Sequence, residues 1–327
     1  MTGADTSRVR LLLLQNAPLL LFILLLATFA LLSERFLTPT NLVNIMAQAA
    51  HIAIIAIGMT FVLLVAGIDL SVGANMYVSC IVVALYMKGW HPVFGFAVVA
   101  VLGLVFGAVN GWLIVRLRVP AFIATLSTLF IGRAIALYLS DVKMIPFGKE
   151  ILRMGRAYFL GVPVAIWIFL IVFVIAWIVL RQTTFGRQVY AVGADPEAAK
   201  KAGIDVPKVL FAVYCICGVC AGIGGLVSAS QVAAASSTFG FQKEFPVIAA
   251  AVLGGTSLFG GRGGVIGTVF GAVLIQTVEN GLVMTNADPY IYPLIISVII
   301  FIAVFVDSVR TDMVERLERR KIRVEPG

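Results

Sequence analysis

The sequence predicts an all-α polytopic membrane protein of about ten transmembrane segments, some of them broken or half helices. Three observations predict it. The 327 residues are 61% hydrophobic and 12% charged, with mean hydropathy +1.06, whereas soluble domains run near ~45–50% apolar and ~25% charged. The apolar residues gather into runs of about twenty, the length that carries a helix across a bilayer. The charges lie between or beyond these runs, so the net charge of +8 fits a positive-inside topology and not a nucleic-acid surface.

In chain order the segments are 11–32, 43–66, 70–88, 92–115, 120–140, 163–180, 209–230, 246–258, 265–284 and 290–307. The first follows Arg8 and Arg10 and is longer than the ~7–15 residues of a signal-peptide core, so it reads as a retained helix. Ten crossings put both termini on one side. Sixteen of the 24 Lys and Arg residues then share that side, seven lie opposite and Arg133 falls inside a segment; the bias makes the shared side cytoplasmic. The longest outside loop is 141–162, and a basic tail, 308–327, ends the chain in the cytoplasm.

Two places interrupt the helices. AGIDLSVG (66–73) separates the second and third segments. Segment 246–258 is only ~20 Å long at ~1.5 Å per residue and ends in GGTSLFGGRGG (254–264). It reads as a half helix with irregular backbone that protein must shield or that lines a wet cavity; the alternative is a pair of tight turns. A short echo, Asn110-Gly111 before Pro120 and Asn280-Gly281 before Pro289, lies five segments apart and hints at an inverted repeat. Gly103, Gly107 and Gly111, Gly263, Gly267 and Gly271, and Gly218 with Gly222 recur every four residues, the spacing that lets helix backbones meet closely in lipid.

One polar stretch, VGADPEAAKKAGIDVP (192–207), has the marks of a capped two-turn helix in water. Asp195 suits the N-cap and Pro196 the first turn. Glu197 complements the positive end of the helix dipole, and Lys200 and Lys201 the negative end. Ala198, Ala199 and Ala202 favour helix, and Gly203 stops it. So short a helix is unstable alone, so its alanine face packs either on a soluble partner or on its own bundle.

Cys215, Cys217 and Cys220 form CICGVC inside an apolar run; with Cys80 they read as buried, inert thiols. There is no G-x-x-x-x-G-K-[ST]: Lys143 stands where the first glycine of Gly148-Lys149-Glu150 would need it, so no P-loop is present. Neither H-E-x-x-H nor G-x-S-x-G occurs. Charges within apolar segments are costly and need a reason. Asp69 in the first break can cap the next helix with Ser71 assisting, or line a solute path; Glu279 with Asn280 near the outer end of segment nine can do the latter; Arg133 can pair with an acid of the bundle. By residue type Asn110, Thr125, Ser127, Gln231, Ser257 and Asn280 also suit a path for a polar solute.

Four stretches in order resemble the permease subunits of ABC importers for ribose, xylose, galactose and similar sugars. They are AGIDLSVGA (66–74), NGWLIVRLRVPAFIATLSTLFIGRAIA (110–136), TTFGRQVYAVGADPEAAKKAGI (183–204) and LGGTSLFGGRGGVIGT (253–268) with ENGL (279–282). The resemblance covers about 40–307 and implies a single permease domain with a cytoplasmic coupling loop at 181–208. It also implies a cytoplasmic ATPase that carries ATP and Mg, a periplasmic or extracellular sugar-binding protein, and a second permease copy, identical or related. The chain itself would bind no cofactor, catalyse no reaction and hold no tight sugar site. One departure is Gly132-Arg133-Ala134, where the family often has Arg-Gly, so no family role passes to Arg133. Other readings left open are an ion-coupled secondary carrier, for which Asp69 and Glu279 would be the acids, a scaffold that transports nothing, and an ABC permease for a nucleoside, polyol or signalling furanose.

Overall fold

The computed structural model describes residues 17–299, 301, 302 and 305; Arg8, Arg10 and the tail at 308–327 lie outside them. Each apolar run yields helix: α1 Ala17–Leu32, α2 Pro39–Leu64, α3 Val72–Tyr86, α4 Pro92–Val115 and α5 Ala121–Ser140. After β1 Ile145–Pro146, α6 Lys149–Arg156, β2 Tyr158–Phe159 and β3 Val162–Pro163 comes α7 Val164–Gln182. Then follow α8 Thr184–Ala194, α9 Pro196–Lys201, α10 Val206–Gln231, β4 Ala234–Ala235, α11 Glu244–Leu253 and α12 Val265–Met284, with helix again at 292–299. Among the described residues six helices (α2, α4, α5, α7, α10 and α12) are long and apolar enough to cross a membrane; α3, α11 and the apolar part of α1 are shorter.

Residues 39–276 form one compact unit, and the flanking residues, up to 38 and from 277, another. In the larger unit α2 is the central helix, 89% of its apolar window buried, whereas the windows of α4 and α7 are 22% buried. The outer faces of α4, α5 and α7 instead carry exposed Leu104, Trp112, Phe122, Phe130, Ile171 and Ile175, the surface a lipid-facing helix presents. In the smaller unit the ring of Phe29 lies over Gly281, where a side chain would collide with it, and 5.5 Å from the ring of Phe36.

The four-residue glycine spacing is used as the sequence suggests. Down the antiparallel seam of α4 and α10, Val99 faces Gly222, Gly103 faces Gly218, Gly107 faces Tyr214 and Gly111 faces Phe211; a Cβ at any of these glycines would meet the opposite chain, mostly its backbone. Gly267 and Gly271 similarly bring α12 onto Gly254 and Ala250.

Both interruptions are real. Residues 65–71 are non-helical, and α11 has only ten residues before the irregular 254–264. The 141–162 loop is more ordered than its composition suggests. It folds into α6, anchored by buried Ile151, and two short ribbons, one pairing β1 with β4 and the other β2 with β3.

Candidate functional site

The polar segment folds as its residues dictate. Asp195 Oδ1 accepts from the N–H groups of Glu197 (2.9 Å) and Ala198 (3.0 Å), satisfying two of the free donors of α9. At the other end Gly203 takes φ +84°. That lets its N–H bond to Lys200 O and the Ile204 N–H to Ala199 O, each at 3.0 Å, the paired closure of a Schellman turn. Asp205 then caps α10 through Lys208 N (3.2 Å), and Lys208 Nζ lies 2.8 Å from its carboxylate. The bonds from Lys208 hold the Asp205 carboxyl below its ordinary range.

The alanine face is divided. Ala199 is 4% exposed, whereas Ala198, Ala202, Glu197, Lys200 and Lys201 are open to solvent. The helix therefore seats on its own chain, where α9 touches α8 and α10, and offers its remaining faces outward. Ala199 belongs to the seat and not to any exposed docking surface.

α8 fixes this element to both irregular segments. Its N-cap Thr183 accepts from Gly186 N (3.1 Å). Its inner face is Gly186, Val189, Val192 and Gly193. At Gly193 a Cβ would strike Leu64 O, at the end of α2, and the N–H of Gly261. That N–H in turn bonds to Leu64 O at 2.9 Å. The Tyr190 hydroxyl donates to Gly263 O at 2.9 Å. Within 254–264, Ser257 makes turn contacts, its N–H bonding to Arg262 O (2.9 Å) and its Oγ accepting from Phe259 N (3.2 Å). Sequence reasoning placed the helix but missed Tyr190, whose aromatic ring carried no local signal.

Asp69, Ser71 and Asn110 form one buried cluster, each at most 1% exposed. Asp69 Oδ1 accepts from Ser71 N (2.9 Å) and Ser71 Oγ (2.6 Å), and more weakly from Asn110 Nδ2 (3.4 Å). Asn110 Nδ2 also donates to Ser71 Oγ (2.8 Å), and Thr128 Oγ1 to Asn110 Oδ1 (2.6 Å). Ser71 occupies the N-cap of α3, yet its hydroxyl turns back to Asp69 and makes no cap bond. Asp69 thus closes the turn ahead of α3 and ties it to α4 and α5. Among the described residues Arg133 meets no carboxylate within ion-pair distance; its guanidinium donates to Ser237 O (2.5 Å) and stacks over Phe241 (4.8 Å) and Tyr77 (5.5 Å). Glu279 is half-buried on α12 beside buried Asn280.

At the far end of α2 and α10 lies a cavity of about 380 Å³. Asn44 and Gln48 of α2, Arg156 of α6, Tyr158 of β2, and Ser230 and Gln231 at the end of α10 supply its polar wall. Of these, sequence reasoning singled out only Gln231 as a path residue. The missed signal is a polar stripe on α2, Asn41, Asn44, Gln48 and His51, spaced by three, four and three residues along one face. Among the described residues no group of His, Cys, Asp and Glu is placed to hold a metal ion.

Comparison with known proteins agrees with a transport role. The family described as "Branched-chain amino acid transport system / permease component" matches residues 41–305. The ribose import permease RbsC of Bacillus subtilis is 38% identical over 296 residues, 89% of this chain and 91% of its own. RbsC of Haemophilus influenzae is 36% identical over 302 residues (90% and 94%). The D-allose transport system permease AlsC of Escherichia coli is 37% identical over 288 residues (87% and 88%). No solved structure matches the chain. With a family match over most of its length and relatives that are transport permeases and not enzymes, the chain belongs to this family of multi-pass membrane permeases.

Proposed function

We propose that this chain is the membrane subunit of an ATP-driven importer of monosaccharides. The observation that carries the reading is α9, a capped helix seated by Ala199 with its other faces open, mounted through α8 on both breaks of the bundle. The sugar assignment rests on the relatives, named for ribose, D-allose, fructose and galactose.

In this reading Asp195, Pro196, Glu197, Ala198, Lys200, Ala202 and Gly203 present or shape the surface on which a cytoplasmic ATPase docks, and Ala199 holds it in place. ATP and Mg reside on that partner. A binding protein outside the cell delivers the sugar, and two permease copies enclose the path. The chain lies in the bacterial cytoplasmic membrane with ten crossings and cytoplasmic termini, and α4 and α12 carry the corresponding asparagines, Asn110 and Asn280, of an inverted repeat. When the ATPase pair closes, force on α9 passes through α8 to Leu64 and to 254–264. There the Tyr190–Gly263 and Gly261–Leu64 bonds make the two breaks move together. The buried, mutually bonded Asp69, Ser71 and Asn110 serve as a structural clamp, and no proton-coupled step is assigned to Asp69 or Glu279.

The test is co-purification from native membranes in mild detergent, comparing wild type with Ala198→Asp. Wild type should bring down a soluble P-loop ATPase in stoichiometric amount, and Ala198→Asp should lose it, with uptake falling at least ~10-fold, the effect of ~1.4 kcal/mol. A chain that purifies alone and moves sugar into liposomes without ATP sinks the reading. Uptake of leucine but of no sugar refutes the sugar assignment.

A further inference from the structure

Polar side chains inside a membrane bundle are either satisfied by each other or face water, a partner or a substrate. The cavity at the N-terminal end of α2 is of the second kind. Gln48 lies ~14 Å along α2 from Pro39, at ~1.5 Å per residue, and remains exposed. Its Oε1 accepts from Gln276 Nε2 of α12 at 3.1 Å. Gln276 is only 3% exposed, and its own Oε1 has no hydrogen-bond partner. Gln276 thus holds the amide of Gln48, and Gln48 in turn lines the open polar cavity together with Asn44.

The wall defines the chemistry of that visitor. Its polar groups are the amides of Asn44, Gln48 and Gln231 and the hydroxyls of Ser230 and Tyr158; among the described residues Arg156 is the one charged residue lining it. Amides donate and accept together, as sugar hydroxyls do, and make no demand for charge. At about 380 Å³ the space falls within the ~300–1,000 Å³ usual for small-molecule sites. Its position is also defined within the larger unit. It adjoins the start of α2 and the end of α10, whereas α8 docks at the other end of α2 and α9 adjoins α10.

From this we infer that the cavity is the outer receiving subsite of the translocation path, taking a neutral polyhydroxylated solute of monosaccharide size. Asn44 and Gln48 are the contact residues, and Gln276 is a positioning residue that orients the Gln48 amide. The inference rests on the importer reading above and names where in this chain the sugar first lands. Because a separate binding protein selects the sugar in that reading, the subsite acts on transfer and not on capture: losing it lowers the sugar moved per ATP hydrolysed and leaves the dependence on binding-protein concentration unchanged.

The experiment uses the permease with its ATPase and binding protein in proteoliposomes, with radiolabelled D-ribose, D-allose, D-fructose and D-galactose as probes. Asn44→Leu/Gln48→Leu should reduce sugar moved per ATP at least about tenfold for the best of the four in protein that remains folded, and Asn44→Leu alone, at an exposed position, should show part of that loss with the thermal midpoint near wild type. The conservative Gln48→Asn should retain part of the transfer, and Gln276→Leu should show an intermediate loss. Undiminished transfer per ATP in the folded double variant overturns the subsite while leaving the importer reading intact. A wild-type complex that hydrolyses ATP yet moves none of the four sugars overturns the reading, and the subsite with it.

Discussion

Two polar clusters lie near opposite ends of the central bundle, and they differ in one respect. The cluster of Asp69, Ser71, Asn110 and Thr128 is closed: its groups are buried and bonded to one another. The cluster of Asn44, Gln48 and Gln276 is open: Asn44 and Gln48 line a cavity, and Gln276, bonded to Gln48, has its Oε1 left without a partner. In the sequence the closed cluster attracts attention, because it holds an acid in an apolar context. In the fold that acid is a joint, and the plain amides of α2 are the groups that meet the cavity. Satisfied polar groups hold a structure together, whereas amides that line an open cavity present donors and acceptors to whatever enters it.

That contrast can be broken or sharpened by substitution. Asn110→Leu should have the largest effect on stability, because it strips partners from Ser71, Asp69 and Thr128 at once. Each buried group left unpaired costs about 1–3 kcal/mol, so the thermal midpoint in detergent and the yield of folded protein should both fall sharply. A near-normal midpoint would show that the closed cluster is dispensable and remove the distinction between the two. Asn44→Leu, at an exposed position, should by comparison leave the midpoint within the ~0.5 kcal/mol expected of accessible sites and act on transport alone, whereas adding Gln48→Leu removes the bond to buried Gln276 and lowers the midpoint as well.

A smaller effect belongs to Tyr190→Phe. It deletes the bond to Gly263 O and nothing else, a loss of about 0.5–1.5 kcal/mol. If α8 couples the docking helix to 254–264, ATP hydrolysis should persist while uptake per ATP drops by a few fold; equal falls in both would place Tyr190 outside the coupling route. The smallest effect should come from Lys208→Ala. Asp205 is held below its ordinary value by Lys208. A depressed carboxyl contributes stability above its unfolded value near ~3.9, and that contribution is lost as pH falls through the lower folded value. Any difference in midpoint between Lys208→Ala and wild type should therefore be constant from pH 5 to 8 and vanish only in stronger acid. A difference that changes near neutrality would assign it to another group.

The sequence by itself determined the helical membrane architecture, both interruptions and α9 with its caps. Those features depend on neighbours: apolar runs of fixed length, glycines clustered in one loop, and an Asp, a Pro and a Gly whose hydrogen bonds reach at most five residues along the chain. The repeated glycines of α4 and α10 likewise announced close packing, though not which helix each would meet. Tertiary structure decided the rest. A six-residue helix is too short for a periodic pattern to say which alanine faces inward, so Ala199 and Ala198 parted only when α9 settled against α8 and α10. The side chains of the cavity come from α2, α6, β2 and α10, and Gln276 reaches Gln48 from 228 positions away. No local rule links residues so far apart; only the packing of the helices brings these side chains together.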